Sequence, residues 1–274
     1  MVNQILELLP AEVKLVDTRY GLMLYPANDV FIGPSLLAYG EYCKEEGSAF
    51  RQLIKPGDVV ADVGANIGSH TLLYSELVGP AGQVYAFEPQ RRIFQILCGN
   101  LALNNITNVD ARRQGLGRSR DTLRVSTPGV DTPANYGGVS LGQEGRDAVE
   151  VVKLDSLELE RLDFVKIDVE GMEEAVIRGG LDTIKRLRPK LYVENDSGHS
   201  RIEQSTSLIR LIRSLGYRLW WHMPPLYQPD NFRGYAQNIF SRNIVSINML
   251  CIRDDEIVTT NYVEILTDDA LPNL

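Results

Sequence analysis

From Val59 onward the chain alternates short apolar runs with longer amphipathic stretches, and Gly and Pro mark the junctions. Val59 to Val63, Val84 to Phe87, Val109 to Arg113, Phe164 to Val169 and Leu191 to Glu194 predict strands. The most apolar of these runs show no alternation, as expected where helices cover both faces of a parallel sheet. Helices are predicted over Ser69 to Val78, Gln90 to Leu103 and Met172 to Leu187, the last interrupted at Gly179-Gly180. A further helix carries Ile202, Leu208, Leu211, Ile212 and Leu215 near the 3.6-residue period, and Gly216 closes it. Tyr217 to Trp221 and Val245 to Ile252 read as two final strands. They are expected to run antiparallel, because a loop and not a helix connects them. The pattern predicts an α/β fold with a mostly parallel sheet and helices on both faces.

Ahead of this region, Val13 to Val16 and Gly21 to Tyr25 predict a hairpin, and Ser35 to Ile54 a helix. Residues 1–54 therefore read as a small N-terminal β/α layer, a cap, and residues 55–274 as the main domain. The stretch from Arg118 to Glu150 is rich in Gly, Ser, Thr and Asp and is expected to be an excursion with one or two strands.

Composition narrows the function classes. The 274 residues are ample for a buried core. With 28 Lys and Arg against 36 Asp and Glu, the net charge of −8 lacks the footprint of a general nucleic-acid binder. No apolar run is long enough for a membrane span. Met1 to Lys14 has acidic Glu7 and Glu12 and no basic start, unlike a signal peptide. Cys43, Cys98 and Cys251 are widely spaced, which fits reduced thiols in a cytoplasmic protein.

Candidate chemistry begins at Asp62-Val63-Gly64-Ala65-Asn66-Ile67-Gly68, at a strand-to-helix junction. Gly64 permits a tight turn and Gly68 a close helix, while the helix start offers free N–H groups. The run Gly64-x-x-x-Gly68 lacks the middle glycine of the dinucleotide fingerprint. Asp62 would also repel a pyrophosphate, so a cationic or zwitterionic ligand such as S-adenosylmethionine fits better. Glu88 ends the next strand about twenty residues on, where a carboxylate can accept hydrogen bonds from both ribose hydroxyls. The rival readings are an NAD-dependent enzyme acting on a sugar nucleotide, and a non-catalytic cofactor-binding module.

Asp62 to Leu72 (DVGANIGSHTL), Phe87-Glu88-Pro89, Asn135 to Leu141 (NYGGVSL), Leu154 to Leu157 (LDSL), Lys166 to Gly171 (KIDVEG) and Pro189 to Asn195 (PKLYVEN) resemble the FkbM family of S-adenosylmethionine-dependent methyltransferases. The resemblance implies a seven-stranded Rossmann-like class I methyltransferase fold. It implies O-methylation of a sugar or natural-product hydroxyl, with a small-molecule acceptor. By position it assigns Asp62, Gly64, Asn66, Gly68 and Glu88 to the cofactor, and Gln114 and Gly115 to its adenine. His70 and Thr71 lie in the first motif and are counted with the cofactor site; His70 is expected to contact the cofactor's amino-acid end or to pack.

Methyl transfer to a hydroxyl needs alignment and a proton acceptor. Asp168 and Glu170 stand at the end of the fourth strand, two residues apart and so on one face. Asp168 is the first candidate for base or orienter, also facing the cofactor, and Glu170 is its neighbour. Glu194 ends the fifth strand and His222 the sixth. Asp168, Glu170 and Glu194 have the hard oxygen ligands of a Mg²⁺ site, though nothing in their spacing demands a metal. The loop Trp220 to Asn243 carries Trp220, Trp221, His222, Tyr227 and Asn238, aromatic faces and polar tips suited to a sugar acceptor. A dimer contact is the other use for such a loop. This loop and the N-terminal layer are expected to roof the site. His199 is expected at the surface.

Overall fold

The computed structural model describes residues 9–196 and 202–272. His199 lies outside them. A hairpin of β1 (Val13–Thr18) and β2 (Gly21–Pro26) opens the described chain. Two helices follow, α1 (Ile32–Tyr39) and α2 (Lys44–Leu53). The single helix predicted over Ser35 to Ile54 is therefore broken. Gly40 caps α1 at φ 74°, and Cys43 enters α2 at φ 48°, both left-handed.

Next come β3 (Val59–Val63), α3 (Ser69–Val78), β4 (Gln83–Phe87), α4 (Arg91–Leu103) and β5 (Val109–Arg112). The excursion holds β6 (Gly115–Leu116), β7 (Asp121–Val125) and β8 (Asp147–Val152), which form a small separate sheet in the order β6-β8-β7. The chain then resumes with β9 (Phe164–Ile167), α5 (Glu173–Gly179), α6 (Leu181–Leu187), β10 (Lys190–Glu194) and α7 (Ile202–Ser214). It ends with β11 (Tyr217–His222), β12 (Asn248–Arg253) and β13 (Val263–Glu264).

The main sheet runs β13-β11-β12-β10-β9-β3-β4-β5. Its strands β5, β4, β3, β9 and β10 are parallel, while β12 is antiparallel to both β10 and β11. Without β13 this is the seven-stranded, mostly parallel sheet expected from the sequence. The eighth strand corrects that count. Its two residues pair at Trp220 and Trp221, too short a match for any periodic signal. Strand order reverses between β3 and β9, so a crevice opens outside their carboxyl ends.

Apolar layers cover both faces. On one face Val176, Ile177, Ile209 and Ile212 pack against Val63, Ile167 and Val193. On the other, Phe50, Leu73 and Tyr74 pack against Val60, Phe164 and Tyr192. The N-terminal layer shares a core with the strand-to-helix turn, since Met23, Tyr25 and Leu36 cluster with Ala65, Ile67 and Leu97. Side-chain amides from α4 fasten the hairpin. Asn100 Oδ1 accepts from Leu24 N at 2.6 Å, while its Nδ2 donates to Leu24 O at 3.0 Å and Ile67 O at 2.8 Å. Asn104 makes the same paired bonds to Leu22. These amides stand in for a neighbouring strand, so the edge of β2 is satisfied.

Candidate active site

At the switch point lies a cavity of about 280 Å³. Its floor is built where β3 turns into α3. Gly64 has φ 85°, and a Cβ there would lie 1.8 Å from the Asp168 carbonyl oxygen. The two strand-end loops therefore touch backbone to backbone, which only glycine allows. Gly68 caps α3 at φ 89°, and a Cβ would press on Leu97 at 2.7 Å. Asn66 is also left-handed, at φ 50°.

Asp62 is fully buried at the end of β3 and lines the cavity. Its Oδ2 accepts from Thr71 Oγ1 at 2.6 Å, while its Oδ1 is buried without a partner among the described residues. An orphaned carboxylate oxygen facing a cavity invites a cationic donor. Burial pushes the Asp62 carboxyl up, against the pull of the Lys166 ammonium and the Thr71 hydroxyl.

Glu88 is 3% exposed and lines the same cavity. Its Oε2 accepts from Asn66 N at 3.0 Å and its Oε1 from Gln90 N at 2.8 Å. These bonds fix both oxygens and leave each a second lone pair. Burial raises the carboxyl to about 7. Gln114 and Gly115 also line the cavity, beside apolar Leu116, Val139, Leu141 and Met172. Gln114 Nε2 is held by Glu150 Oε2 at 2.8 Å.

A charged group completes the lining. Lys166 is 4% exposed and opposes Asp62 across the β3–β9 pair. Its Nζ donates to Asp168 Oδ2 at 2.9 Å. Burial opposes charge on both partners, yet the pair wins. Lys166 is held above the usual lysine range, and Asp168 below the usual carboxyl range. Glu194 is pushed the other way by burial and by the Asp168 and Glu170 charges, and it hydrogen-bonds to Asp168. Their shared surroundings thus push the two apart, Asp168 toward the ionised form and Glu194 toward the neutral one. Asp168, Glu170 and Glu194 each place a carboxylate oxygen within 4.8 Å of the other two. Glu170 sits at φ 52°, and its carbonyl accepts from Ser140 Oγ at 2.9 Å.

The cavity thus gathers Asp62, Gly64, Asn66, His70, Glu88, Gln114, Gly115, Asp168, Glu170 and Glu194. Gly68 and Thr71 stand behind this lining, one spacing α3 and the other bonded to Asp62. Phe31, Ile32 and Tyr42 of the N-terminal layer line it, as do Leu226, Ile244, Val245 and Ser246 of the long loop.

The expected acceptor residues are placed elsewhere. Trp221 is packed in the sheet core, and Trp220 is buried on the other face with Arg218 over its ring. His222 is 4% exposed, stacks on Tyr262 at 4.4 Å and hydrogen-bonds to Tyr192 Oη at 2.8 Å. Burial lowers its ring to about 4. Tyr227 packs on Tyr39 and donates to Ala236 O. Asn238 accepts from Phe240 N inside its own loop. None of these five lines the cavity. Trp220 and Trp221 pack in the sheet's cores, and Tyr227 packs against α1.

A model of the methyltransferase FkbM domain matches residues 62–219, more than half of the chain. The chain belongs to the FkbM methyltransferase family. It is 32% identical over 143 residues to Methyltransferase 1 of Beauveria bassiana, a match covering 44% of this chain and 57% of that protein. It is 32% identical over 126 residues to the hexuronic acid methyltransferase AglP of Haloferax volcanii, covering 44% and 49%. The chain thus spans about half the length of these curated relatives. Among solved structures, an FkbM methyltransferase of Methylobacillus flagellatus aligns with TM-score 0.44 and 15% identity, over 74% of this chain and 50% of that one.

The residues of this FkbM member fit the family's cofactor, S-adenosylmethionine. The unpartnered Asp62 oxygen would suit a cation, the two fixed Glu88 oxygens would suit a diol, and the Gly64 turn would leave backbone within reach. Leu116, Val139 and Leu141 beside Gln114 suit a flat base.

Three contributors escaped sequence reading. Lys166 was visible only as one residue of a motif. The segment Asn135 to Leu141 carried family likeness but no assigned role, yet it forms one wall of the cavity. Glu46 is buried on α2 at 3% exposure beside Ala49 and Phe50, and an acid on the apolar face of a helix was its signal.

Proposed function

We propose that this chain methylates a hydroxyl of a small polar acceptor, a glycosyl or natural-product unit. The observation that carries the proposal is the shared cavity, where cofactor determinants and the Lys166–Asp168–Glu194 group line one space. Bound S-adenosylmethionine supplies a methyl carbon already activated by its sulfonium. The protein's work is then placement and proton handling.

Alignment of reacting atoms supplies about 7–11 kcal/mol, against roughly 3–5 kcal/mol from a general base. Asp62 and Glu88 supply fixed acceptors for binding. The N-terminal layer and the long loop exclude water by covering the cavity with Phe31, Tyr42, Leu226 and Ile244. Asp168 is ionised and accepts the acceptor's hydroxyl hydrogen bond. As the proton leaves the oxygen it passes to Asp168, which becomes neutral while Glu194 keeps its own proton. Lys166 keeps Asp168 charged until that moment. The printed name of the Haloferax relative, a hexuronic acid methyltransferase, supports a sugar-type acceptor.

In this reading Lys166 already supplies the cation that the carboxylates need. Transfer of labelled methyl from S-adenosylmethionine to glycosides of a source-cell extract is therefore expected to survive treatment with EDTA. Loss of transfer on chelation, with recovery on adding Mg²⁺, would reassign Asp168, Glu170 and Glu194 as metal ligands.

A further inference from the structure

We infer that Glu46 is a positioning residue that clasps the N-terminal layer to the cofactor turn, and that it does so as a neutral carboxylic acid giving its proton to His70 Nε2. The functional half of this inference rests on the cofactor reading above; the proton assignment does not.

Glu46 projects from α2 into the gap between the layer and the sheet. Its Oε1 accepts from Asn248 Nδ2 at 2.9 Å and from Tyr192 Oη at 3.3 Å. Its Oε2 lies 3.3 Å from His70 Nε2. One side chain therefore ties α2 to the start of α3, to β10 and to β12. His70 lines the cofactor cavity, so the tie ends at the site.

Proton counting sets the state of the pair. His70 Nε2 is buried, and among the described residues its one polar neighbour within reach is Glu46 Oε2 at 3.3 Å, with no other hydrogen-bond partner. The ring's bond to the Tyr42 backbone therefore falls to Nδ1. That leaves Nε2 as a bare acceptor facing a carboxyl oxygen, also an acceptor when ionised. Two buried acceptors at this distance repel unless a proton lies between them. Burial drives the ring down to about 3 and the carboxyl up to about 7, so the proton belongs to Glu46.

The surrounding groups are mixed in sign. Lys166 on β9 favours the ionised carboxyl and Asp168 after β9 opposes it. Cys43 before α2 and Ser246 before β12 hydrogen-bond to it and favour the ionised form. Tyr42, Tyr74 on α3 and Tyr192 on β10 are all neutral, held above their usual range by burial first. His222 on β11 reaches the cluster only through Tyr192.

Glutamine copies the acid: its amide donates to His70 Nε2 and its carbonyl accepts from Asn248. Alanine removes the carboxyl from His70, Asn248 and Tyr192 at once and cuts the tie between α2, α3, β10 and β12. The test uses the full chain labelled with ¹⁵N-histidine, together with Glu46→Gln and Glu46→Ala, and calorimetry of S-adenosylhomocysteine. The His70 resonances, assigned by loss in His70→Gln, should show a bare Nε2 and a protonated Nδ1. At pH 6, Glu46→Gln should bind within about twofold of the native chain, and Glu46→Ala about tenfold more weakly or worse, a gap of roughly 1.4 kcal/mol. Above pH 7 the native chain should lose affinity relative to Glu46→Gln, as its carboxyl ionises and the clasp opens. A proton on Nε2 of the native ring, or Glu46→Gln binding as poorly as Glu46→Ala, would overturn the inference. If Glu46→Ala does not fold, the native ring spectrum and the Glu46→Gln pH comparison still decide it. If the native chain binds no S-adenosylhomocysteine, the cofactor reading fails, and the ring spectrum alone judges the proton.

Discussion

Replacing Gly64 with alanine should cost about 4 kcal/mol of folding stability and abolish measurable cofactor binding. Two effects add. Gly64 has φ 85°, where an L side chain is strained by about 1–3 kcal/mol. The new Cβ would also meet the Asp168 carbonyl oxygen at 1.8 Å, and that oxygen is backbone. Relief requires moving either β3 or the loop that follows β9. Overpacking of this kind costs about 1–3 kcal/mol more. A domain this size loses roughly 2–4 °C in Tm per kcal/mol, so a fall of about 10 °C is expected. Moving that loop also displaces Asp168 and opens the wall beside Asp62. Urea unfolding and calorimetry of S-adenosylhomocysteine together check this. A Gly64→Ala chain of native stability and native affinity would show that the two strand ends do not meet as described.

Asp168→Asn should lower the rate of methyl transfer by about 10²–10⁴-fold while leaving S-adenosylhomocysteine affinity within a few-fold. Asparagine keeps the shape and still accepts from Lys166, but it cannot take a proton or hold a negative charge. The acid limb of the rate profile comes from the same group. In the free protein burial pushes Asp168 up, but Lys166 at 2.9 Å prevails and holds it below the usual carboxyl range. Activity should therefore persist into mildly acidic pH and fall only below the ordinary carboxyl range. The linkage to stability has the same sign. A carboxyl held low in the folded chain contributes stability above its unfolded value, and that contribution is lost as pH falls through its folded value. Steady-state rates against pH for the native and Asp168→Asn chains test both parts. An unchanged rate in the variant would leave Asp168 as the anchor of Lys166 and nothing more.

Much of this architecture was legible in the sequence because the central sheet writes a strong pattern. Val59 to Val63 is apolar apart from Asp62, bounded by Pro56-Gly57 before and Gly64 after, and it forms β3 with those limits. Gly179-Gly180 broke the helix where predicted, between α5 and α6. The N-terminal helix misled because Gly40 and Cys43 turn the chain within an otherwise helical stretch, and their left-handed φ values leave no periodic trace. β13 is too short to announce itself.

The site was legible in part for the same reason. Asp62, Gly64 and Glu88 sit at strand ends, where topology and local sequence agree. Trp220, Trp221 and His222 sit at a strand end too, yet they belong to β11, far across the sheet order from β3. A side chain's neighbours across a sheet depend on strand order, which periodicity does not carry. Lys166 illustrates the converse. It alternates between Val165 and Ile167 in an apolar strand, and only its ion pair with Asp168 gives the ammonium its purpose.

Calorimetric titration of the native chain with S-adenosylhomocysteine and, separately, with NAD tests the cofactor assignment most directly. S-adenosylhomocysteine should bind at a single site and raise the melting temperature, since a ligand held by the folded chain stabilises it by mass action. NAD should do neither, because the carboxylate of Asp62 and the side chain of Asn66 stand where a diphosphate would need bare backbone. Saturable binding of NAD with none of S-adenosylhomocysteine would contradict the assignment.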